Sequence, residues 1–306
     1  MLKTKEKIVT VRVPATSANC GPGFDCLGMA CTLYDTFTFE LIPQGLELAV
    51  EGQGAGRMHP SPNNLAFLAF FKLWNQLQRE KTGLRIHMKN DIPLSRGLGS
   101  SSAAIVGGLL AANYFSGKTF NNQALLNLAT KIEGHPDNVA PAILGGFTIS
   151  YMEQGSARSL RFVPVKKYQL IVAIPSMPLS TAKARGAIPE TITHKDAVFS
   201  VSRAALLVGA LMSGKSNFLP IALEDKLHQP YRGPLIPGCF EAFTAAQKAG
   251  AYNGIISGSG STLMAIAPLQ SDGNKIGSAM QNVLKQHGLE SVFKKLKLDL
   301  QGAKIL

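Results

Sequence analysis

The stretch Pro93-Leu94-Ser95-Arg96-Gly97-Leu98-Gly99-Ser100-Ser101-Ser102-Ala103 lies between a polar strand pattern ending Asn90-Asp91-Ile92 and a small-residue, apolar helical pattern over 104–112. Glycine lets a backbone come close to an anion. The first free N–H groups of a helix point at such an anion, and serine hydroxyls at the junction can reach phosphate oxygens or a bound cation. A tight turn with a serine cap would need a single hydroxyl. Three successive serines after Gly97-Leu98-Gly99 exceed that need, so the loop is read as a phosphate cradle.

Before this loop, residues 8–13 alternate apolar and polar as a strand does, and 34–42 do so again. Residues 46–50 and 84–89 are shorter strand candidates. Residues 64–79 carry apolar side chains at helical spacing behind an Asn-rich start. After the loop, helices are expected over 100–116 and 123–131, the second closed by Gly134 and Pro136, with a strand at 147–151. Strands first and helices afterwards is an α+β order. The basic, Pro-containing stretch 158–167 has little periodicity and is read as a boundary, dividing the chain into domains 1–162 and 163–306. The second part reads as strand 168–174, helices 197–212, 217–223 and 237–248, strands 254–257 and 263–267, and helix 274–287. That order suits a split βαβ, ferredoxin-like layout.

Of 306 residues, 45% are hydrophobic and 16% charged, a globular composition with room for two domains. No apolar run approaches the ~20 residues of a membrane span. The charged start, 1–6, runs straight into a strand pattern, unlike a secretory leader. A cytoplasmic protein with no membrane partner is expected. The formal net charge of +12 favours anions. Lys and Arg are nevertheless dispersed rather than gathered in a stripe with aromatics, so no nucleic-acid partner is expected. The cluster Lys294-Lys295-Leu296-Lys297 continues an alternation through Leu300 and reads as an edge strand with lysines outward. Cys20, Cys26, Cys31 and Cys239 lack the paired spacing of a zinc site and read as free, largely buried thiols.

A second glycine-rich match competes for the phosphate role. Gly209-Ala210-Leu211-Met212-Ser213-Gly214-Lys215-Ser216 fits G-x-x-x-x-G-K-S. That motif needs a strand before it and a helix beginning at the lysine. Here it falls at the end of an apolar helical pattern containing Leu206, Leu207, Ala210 and Leu211, where Gly214 is an ordinary helix-ending residue. The match is rejected as a phosphate loop.

Five further segments accompany the serine loop. They are Pro14-Ala15-Thr16-Ser17-Ala18-Asn19-Cys20-Gly21-Pro22-Gly23-Phe24-Asp25, Glu133-Gly134-His135-Pro136-Asp137-Asn138-Val139-Ala140-Pro141, Ser180-Thr181-Ala182-Lys183-Ala184-Arg185, Glu224-Asp225-Lys226-Leu227-His228-Gln229-Pro230-Tyr231-Arg232 and Gly254-Ile255-Ile256-Ser257-Gly258-Ser259-Gly260-Ser261. The set resembles the GHMP kinases across nearly the whole chain. The segments at 133, 180 and 224 resemble the homoserine kinases among them rather than mevalonate or galactose kinases. The resemblance implies a ribosomal protein S5 domain 2-like N-terminal domain and a ferredoxin-like C-terminal domain. It also implies ATP and Mg²⁺, L-homoserine as substrate, and a homodimer.

Carried onto this chain, the resemblance makes residues 93–103 the ATP loop and puts Asn64 on the adenine side. Glu133 becomes the Mg²⁺ carboxylate, with Ser100 or Ser101 as hydroxyl ligand. Glu133, Asn138 and Thr181 form the catalytic set, Asn138 near the reacting hydroxyl and Thr181 near the transferred phosphoryl group. Homoserine is a zwitterion, so Asp25 is expected on its ammonium, with Arg185 and Arg232 on its carboxylate through forks that lysine cannot reproduce. Asn19 and Asn138 take the remaining polar contacts. His135 and His228 are given orientation or core roles. No carboxylate stands where some relatives carry a general base; Asn138 stands there. Positioning, with phosphate or solvent taking the proton, is the expected chemistry. Two departures stand out. Ser261-Thr262 replaces the usual Pro-Thr, which is expected to loosen the third loop modestly, and Cys20 replaces a common Leu. Two other readings remain: a GHMP kinase for another small hydroxylated acid or alcohol, and an inactive GHMP-fold binding protein.

Overall fold

The computed structural model describes residues 7–306; the charged stretch 1–6, read above against a secretory leader, lies outside them. β1 (Ile8–Ala18) and β2 (Leu27–Ile42) run longer than the alternating stretches 8–13 and 34–42. Of the added residues, 14–18 and 27–31 are buried on both sides, so no period of two marks them. β3 (Leu46–Gly52), α1 (Leu65–Gln76), β4 (Gly83–Asn90), α2 (Ser100–Phe115), α3 (Asn122–Glu133), α4 (Pro136–Leu144), β5 (Phe147–Glu153) and β6 (Ser156–Phe162) follow. Among the described residues the first sheet has seven strands; the last of the chain, β11 (Lys304–Ile305), opens the order β11-β1-β2-β4-β3, with β5 and β6 branching from β2. One face is packed with α2 and α4, and the aromatic cluster Phe39, Phe70, Trp74 and Phe115 fills the space beneath α1.

The second layer is built from β7 (Tyr168–Pro175), α5 (Thr181–Gly186), α6 (His194–Ser213), α7 (Leu219–Ala222), α8 (Gln229–Arg232), α9 (Cys239–Lys248), β8 (Asn253–Ile256), β9 (Leu263–Pro268), α10 (Gly273–Gln286) and β10 (Ser291–Leu296). Its four strands lie in the order β10-β7-β9-β8, all antiparallel. Counted within the layer this is 4-1-3-2, the ferredoxin-like order, with α9 and α10 packed on the sheet. α5 to α8 are an insertion between β7 and α9, and they carry two of the expected substrate residues, Arg185 and Arg232.

Several elements differ from the sequence reading. α4 is absent from it because Gly134 and Pro136 read as a break. Pro136 stands in the first turn, where its missing N–H costs nothing, and Pro141 is accommodated with the helix packed against β1, β2 and β5. β6 occupies part of the stretch 158–167 expected to be a boundary. It pairs with β5 as a hairpin, and its outward Leu160 hides the alternation by which a strand is read from sequence. The lysine-rich segment is an edge strand, β10, but it stops at Leu296. Beyond it the chain crosses to the first sheet. Thr32 N–H bonds the Lys297 carbonyl, Asp299 N–H bonds the Ala30 carbonyl, and β11 (Lys304–Ile305) adds beside β1. The end of the expected second domain, 163–306, therefore belongs to the first sheet. α6, at 20 residues, is long and apolar enough to cross a membrane by length and composition alone, although Ser202 and Arg203 interrupt its apolar run.

Candidate active site

β4 delivers the chain to the serine loop, and Asp35 on β2 accepts the Ile92 N–H at 2.9 Å to fix the loop's base. Gly97 and Gly99 both have positive φ, +74°. A Cβ at Gly97 would lie 2.1 Å from the Ser257 carbonyl oxygen, and one at Gly99 2.0 Å from Thr16 Oγ1, so neither position admits a side chain. Gly99 is also the N-cap of α2. Having no side chain, it leaves the first turn's N–H groups uncapped. The simple serine-cap alternative is thereby removed.

The loop forms one wall of a cavity of about 500 Å³ between the two layers. Asn19, Asp25, Asn64, Leu94, Ser95, Arg96, Gly97, Gly99, Ser100, Ser101, Glu133, Asn138, Thr181, Arg185 and Arg232 line it, all expected from the sequence. Pro93, Leu98, Ser102 and Ala103 do not. Leu98 and Ala103 are fully buried in the apolar core, and the Ser102 hydroxyl turns to Glu133. These four contribute backbone and support rather than a side chain in the cavity. Arg96 also departs from the expected role. Its guanidinium donates to the carbonyls of Leu94, Ser95, Pro175 and Ser176, tying the loop to the end of β7.

Glu133 ends α3 and faces the start of α2. Ser101 Oγ donates to its Oε2 at 2.6 Å and Ser102 Oγ to its Oε1 at 2.9 Å. Among the described residues no group of three or more His, Cys, Asp and Glu could hold a metal. A cation here would complete its shell with hydroxyls and with a ligand's own oxygens, as Mg²⁺ does. The donor set, one carboxylate and serine hydroxyls, is all hard oxygen and fits that ion.

At the other end, Arg185 Nη2 and Nη1 grip Asp25 at 2.6 and 2.9 Å. This hydrogen bond and the burial that opposes it leave the Arg185 pKa raised. Arg232 is 2% exposed and donates to the carbonyls of Ala184 and Gly258. Burial and the neighbouring Arg185 push its pKa down to about 10. Both guanidinium groups lie over Phe24, at 5.4 and 5.1 Å from the ring centroid. His228 also stacks on Phe24, bonds the Gly21 carbonyl at 2.8 Å and receives Arg232 Nη1 at 3.4 Å. Burial lowers its pKa. His228 thus packs between Phe24, Gly21 and Arg232.

Asn64 caps α1, its Oδ1 accepting the Ala66 N–H at 3.0 Å. Asn19 holds the turn, donating to Gly258 O and accepting the Asp25 N–H. Thr181 Oγ1 lies 3.4 Å from Ser259 Oγ. The third glycine segment is clamped rather than loosened. Ser257 Oγ lies 2.7 Å from the Gly97 carbonyl, Thr262 N–H bonds Arg96 O, and Ser261 Oγ donates to Met177 O at 2.5 Å, a bond proline could not make.

Sequence reasoning gave no cavity role to several lining residues, among them His135 and Asp137. His135 Nδ1 lies 2.6 Å from Asp137 Oδ1, and both line the cavity. Burial alone would lower the His135 pKa, but the Asp137 hydrogen bond and charge overcome it and raise it. Their position inside the Glu133–Asn138 segment was the available signal.

Comparison with known proteins agrees with this geometry. Residues 64–146 match the family described as GHMP kinases N terminal domain, and 202–286 match GHMP kinases C terminal. The chain is 43% identical over 284 residues to the homoserine kinase of Carboxydothermus hydrogenoformans, covering 93% of this chain and 92% of that one. It is 43% identical over 298 residues to the homoserine kinase of Nostoc punctiforme, covering 97% of each. The crystal structure of homoserine kinase from Cytophaga hutchinsonii superposes with a TM-score of 0.90 at 27% identity, covering 100% of this chain and 99% of that one. With both family domains matched around one cavity, and such relatives aligned over nearly its full length, the chain belongs to the GHMP kinases and, within them, to the homoserine kinase family.

Proposed function

We propose that the protein transfers the γ-phosphoryl group of ATP to the side-chain hydroxyl of L-homoserine, a step toward threonine. The observation that carries this reading is the pairing of opposite charge at one end of the cavity, Asp25 beside Arg185 and Arg232, with an uncapped helix start at the other. A zwitterion suits the first end and a triphosphate the second.

Asn64, Met58 and Leu94 would border the adenine, and the α2 N–H groups and serine hydroxyls would receive the phosphates. Mg²⁺ would be held by Glu133 with Ser101 or Ser100 and would supply neutralising charge on the phosphate oxygens. Asp25 takes the ammonium, Arg185 and Arg232 the carboxylate, and Asn19 the remaining polar contact. Asn138 lies near the reacting hydroxyl and Thr181 near the moving phosphoryl group. Oriented in line, the hydroxyl oxygen bonds to phosphorus as the bond to ADP breaks, and its proton passes to a phosphoryl oxygen or water. A loose transition state asks for positioning and charge stabilisation more than for a strong base.

We also propose a homodimer. The support is the exposed apolar side chains Val198 and Val201 on α6 and Tyr151, Met152 and Leu160 on the β5–β6 hairpin, each more than half exposed. A single-chain mass by sedimentation would sink it.

A coupled assay with product identified by ³¹P NMR tests the activity. Glu133→Gln is expected to cut kcat by about 100-fold or more at saturating Mg²⁺ with the thermal midpoint retained, since it removes a charged ligand and no core contact. Near-normal turnover in that variant, or no phosphohomoserine from the wild type, overturns the reading.

A further inference from the structure

An asparagine amide has two unlike ends. Oδ1 only accepts hydrogen bonds and Nδ2 only donates, so the chemistry Asn138 can perform depends on which end faces the cavity. Thr16 decides this. Its side chain is fully buried on β1, with Oγ1 2.8 Å from Asn138 Oδ1 across 122 residues of sequence. Among the described residues that oxygen is the acceptor available to the Thr16 hydroxyl. Were the amide reversed, the hydroxyl would accept from Nδ2, and its own proton would be buried without a partner, which is costly. Thr16 has little freedom to escape. It is β-branched, and Gly99 packs so closely that an added Cβ there would lie 2.0 Å from Oγ1. Nδ2 has no protein acceptor among the described residues, and Asn138 lines the cavity.

We propose that Thr16 is the positioning residue that turns Asn138 so that its NH₂ faces the reacting groups. This rests on the kinase reading above. Asn138 therefore donates to the substrate hydroxyl oxygen. That bond occupies one lone pair, leaves the other aimed at phosphorus, and directs the hydroxyl proton away from the amide. Asn138 takes no proton. Thr16 N–H also bonds the Leu98 carbonyl at 3.0 Å, so one residue sets both the amide and the phosphate loop and holds the two reacting centres in register.

Thr16→Val keeps the shape and removes the hydroxyl; Thr16→Ser keeps the hydroxyl. In Thr16→Val, kcat is expected to fall about 10- to 100-fold. KM for ATP and the thermal midpoint should change little, and Thr16→Ser should restore kcat to within about threefold of wild type. Asn138→Asp keeps the Thr16 bond but presents an oxygen to the cavity, and is expected to lose about 100-fold or more. Side-chain amide NMR of Asn138 reads the orientation with no substrate present: one sharp resonance pair in wild type, shifted or exchange-broadened in Thr16→Val. The inference is overturned if Thr16→Val keeps kcat, if Thr16→Ser is equally impaired, if Asn138→Asp is as active as wild type, or if the amide resonances ignore the valine. A wild type inactive on homoserine would sink the kinase reading alone, and the NMR comparison would still decide the role of Thr16.

Discussion

Arg185 grips Asp25 with both arms of its guanidinium, at 2.6 and 2.9 Å, although 160 residues separate them. Each is the group expected to bind one charge of the substrate. Without substrate they satisfy each other, with about a third of each side chain still exposed. A zwitterion can exchange with this pair charge for charge. A ligand with one charge would release one partner and leave it alone, which is unfavourable in a half-buried site.

Selectivity follows from that exchange. Arg185→Lys should raise KM for homoserine by about tenfold or more and leave KM for ATP within about threefold, since lysine keeps the charge but loses the fork. The amino alcohol 3-aminopropanol should react poorly with wild type and lose little more in the variant. Steady-state kinetics with both acceptors checks this. Equal losses with both would place Arg185 on ATP or on the fold instead.

Asp35 makes stability depend on pH. It is 1% exposed, and burial raises its pKa to about 7, against the lowering effect of the Ile92 and Asp91 backbone N–H groups. The native state therefore keeps a proton that the unfolded chain releases from about pH 4 upward. Stability contributed by this group is greatest in acid and is lost as pH rises toward 7. The loss is at most about 1.4 kcal/mol for each pH unit in that window. Directly across the ladder, Asn90 Oδ1 is buried without a partner. Asp35→Asn supplies an uncharged amide there and should melt higher than wild type at pH 8, with the advantage shrinking near pH 4. A variant that melts no higher at pH 8, or shows the same difference at both pH values, would refute this.

Lys215 tests the rejected phosphate loop. Gly209 lies inside α6, Gly214 ends that helix at φ +70°, and Lys215 is exposed beyond it. Lys215→Ala should leave kcat and ATP affinity within about threefold of wild type. Collapse of nucleotide binding, measured by calorimetry, would revive the match.

The sequence by itself determined the two-layer α+β fold, the family and most of the cavity wall. Glycines at 97 and 99, the three serines and the charged segments at 133, 180 and 224 state their chemistry locally, because a loop's backbone freedom and a side chain's charge are properties of short stretches. Helix and strand periods were legible in most elements with one face to water, β6 with its outward Leu160 being an exception. Tertiary structure alone decided the rest. The doubly buried ends of β1 and β2 and the proline-bearing α4 show no period, because burial on all sides erases it. The return of the chain's end to the first sheet depends on hydrogen bonds from Thr32 and to Ala30, far away in sequence. The turn of Leu98 and Ala103 into the core, the use of Arg96 as a tie to β7, the Asp25–Arg185 fork and the contact from Thr16 to Asn138 are long-range packing choices. Each is set by which unpaired group lies within ~3 Å once the chain has folded, a proximity that spacing along the sequence does not encode.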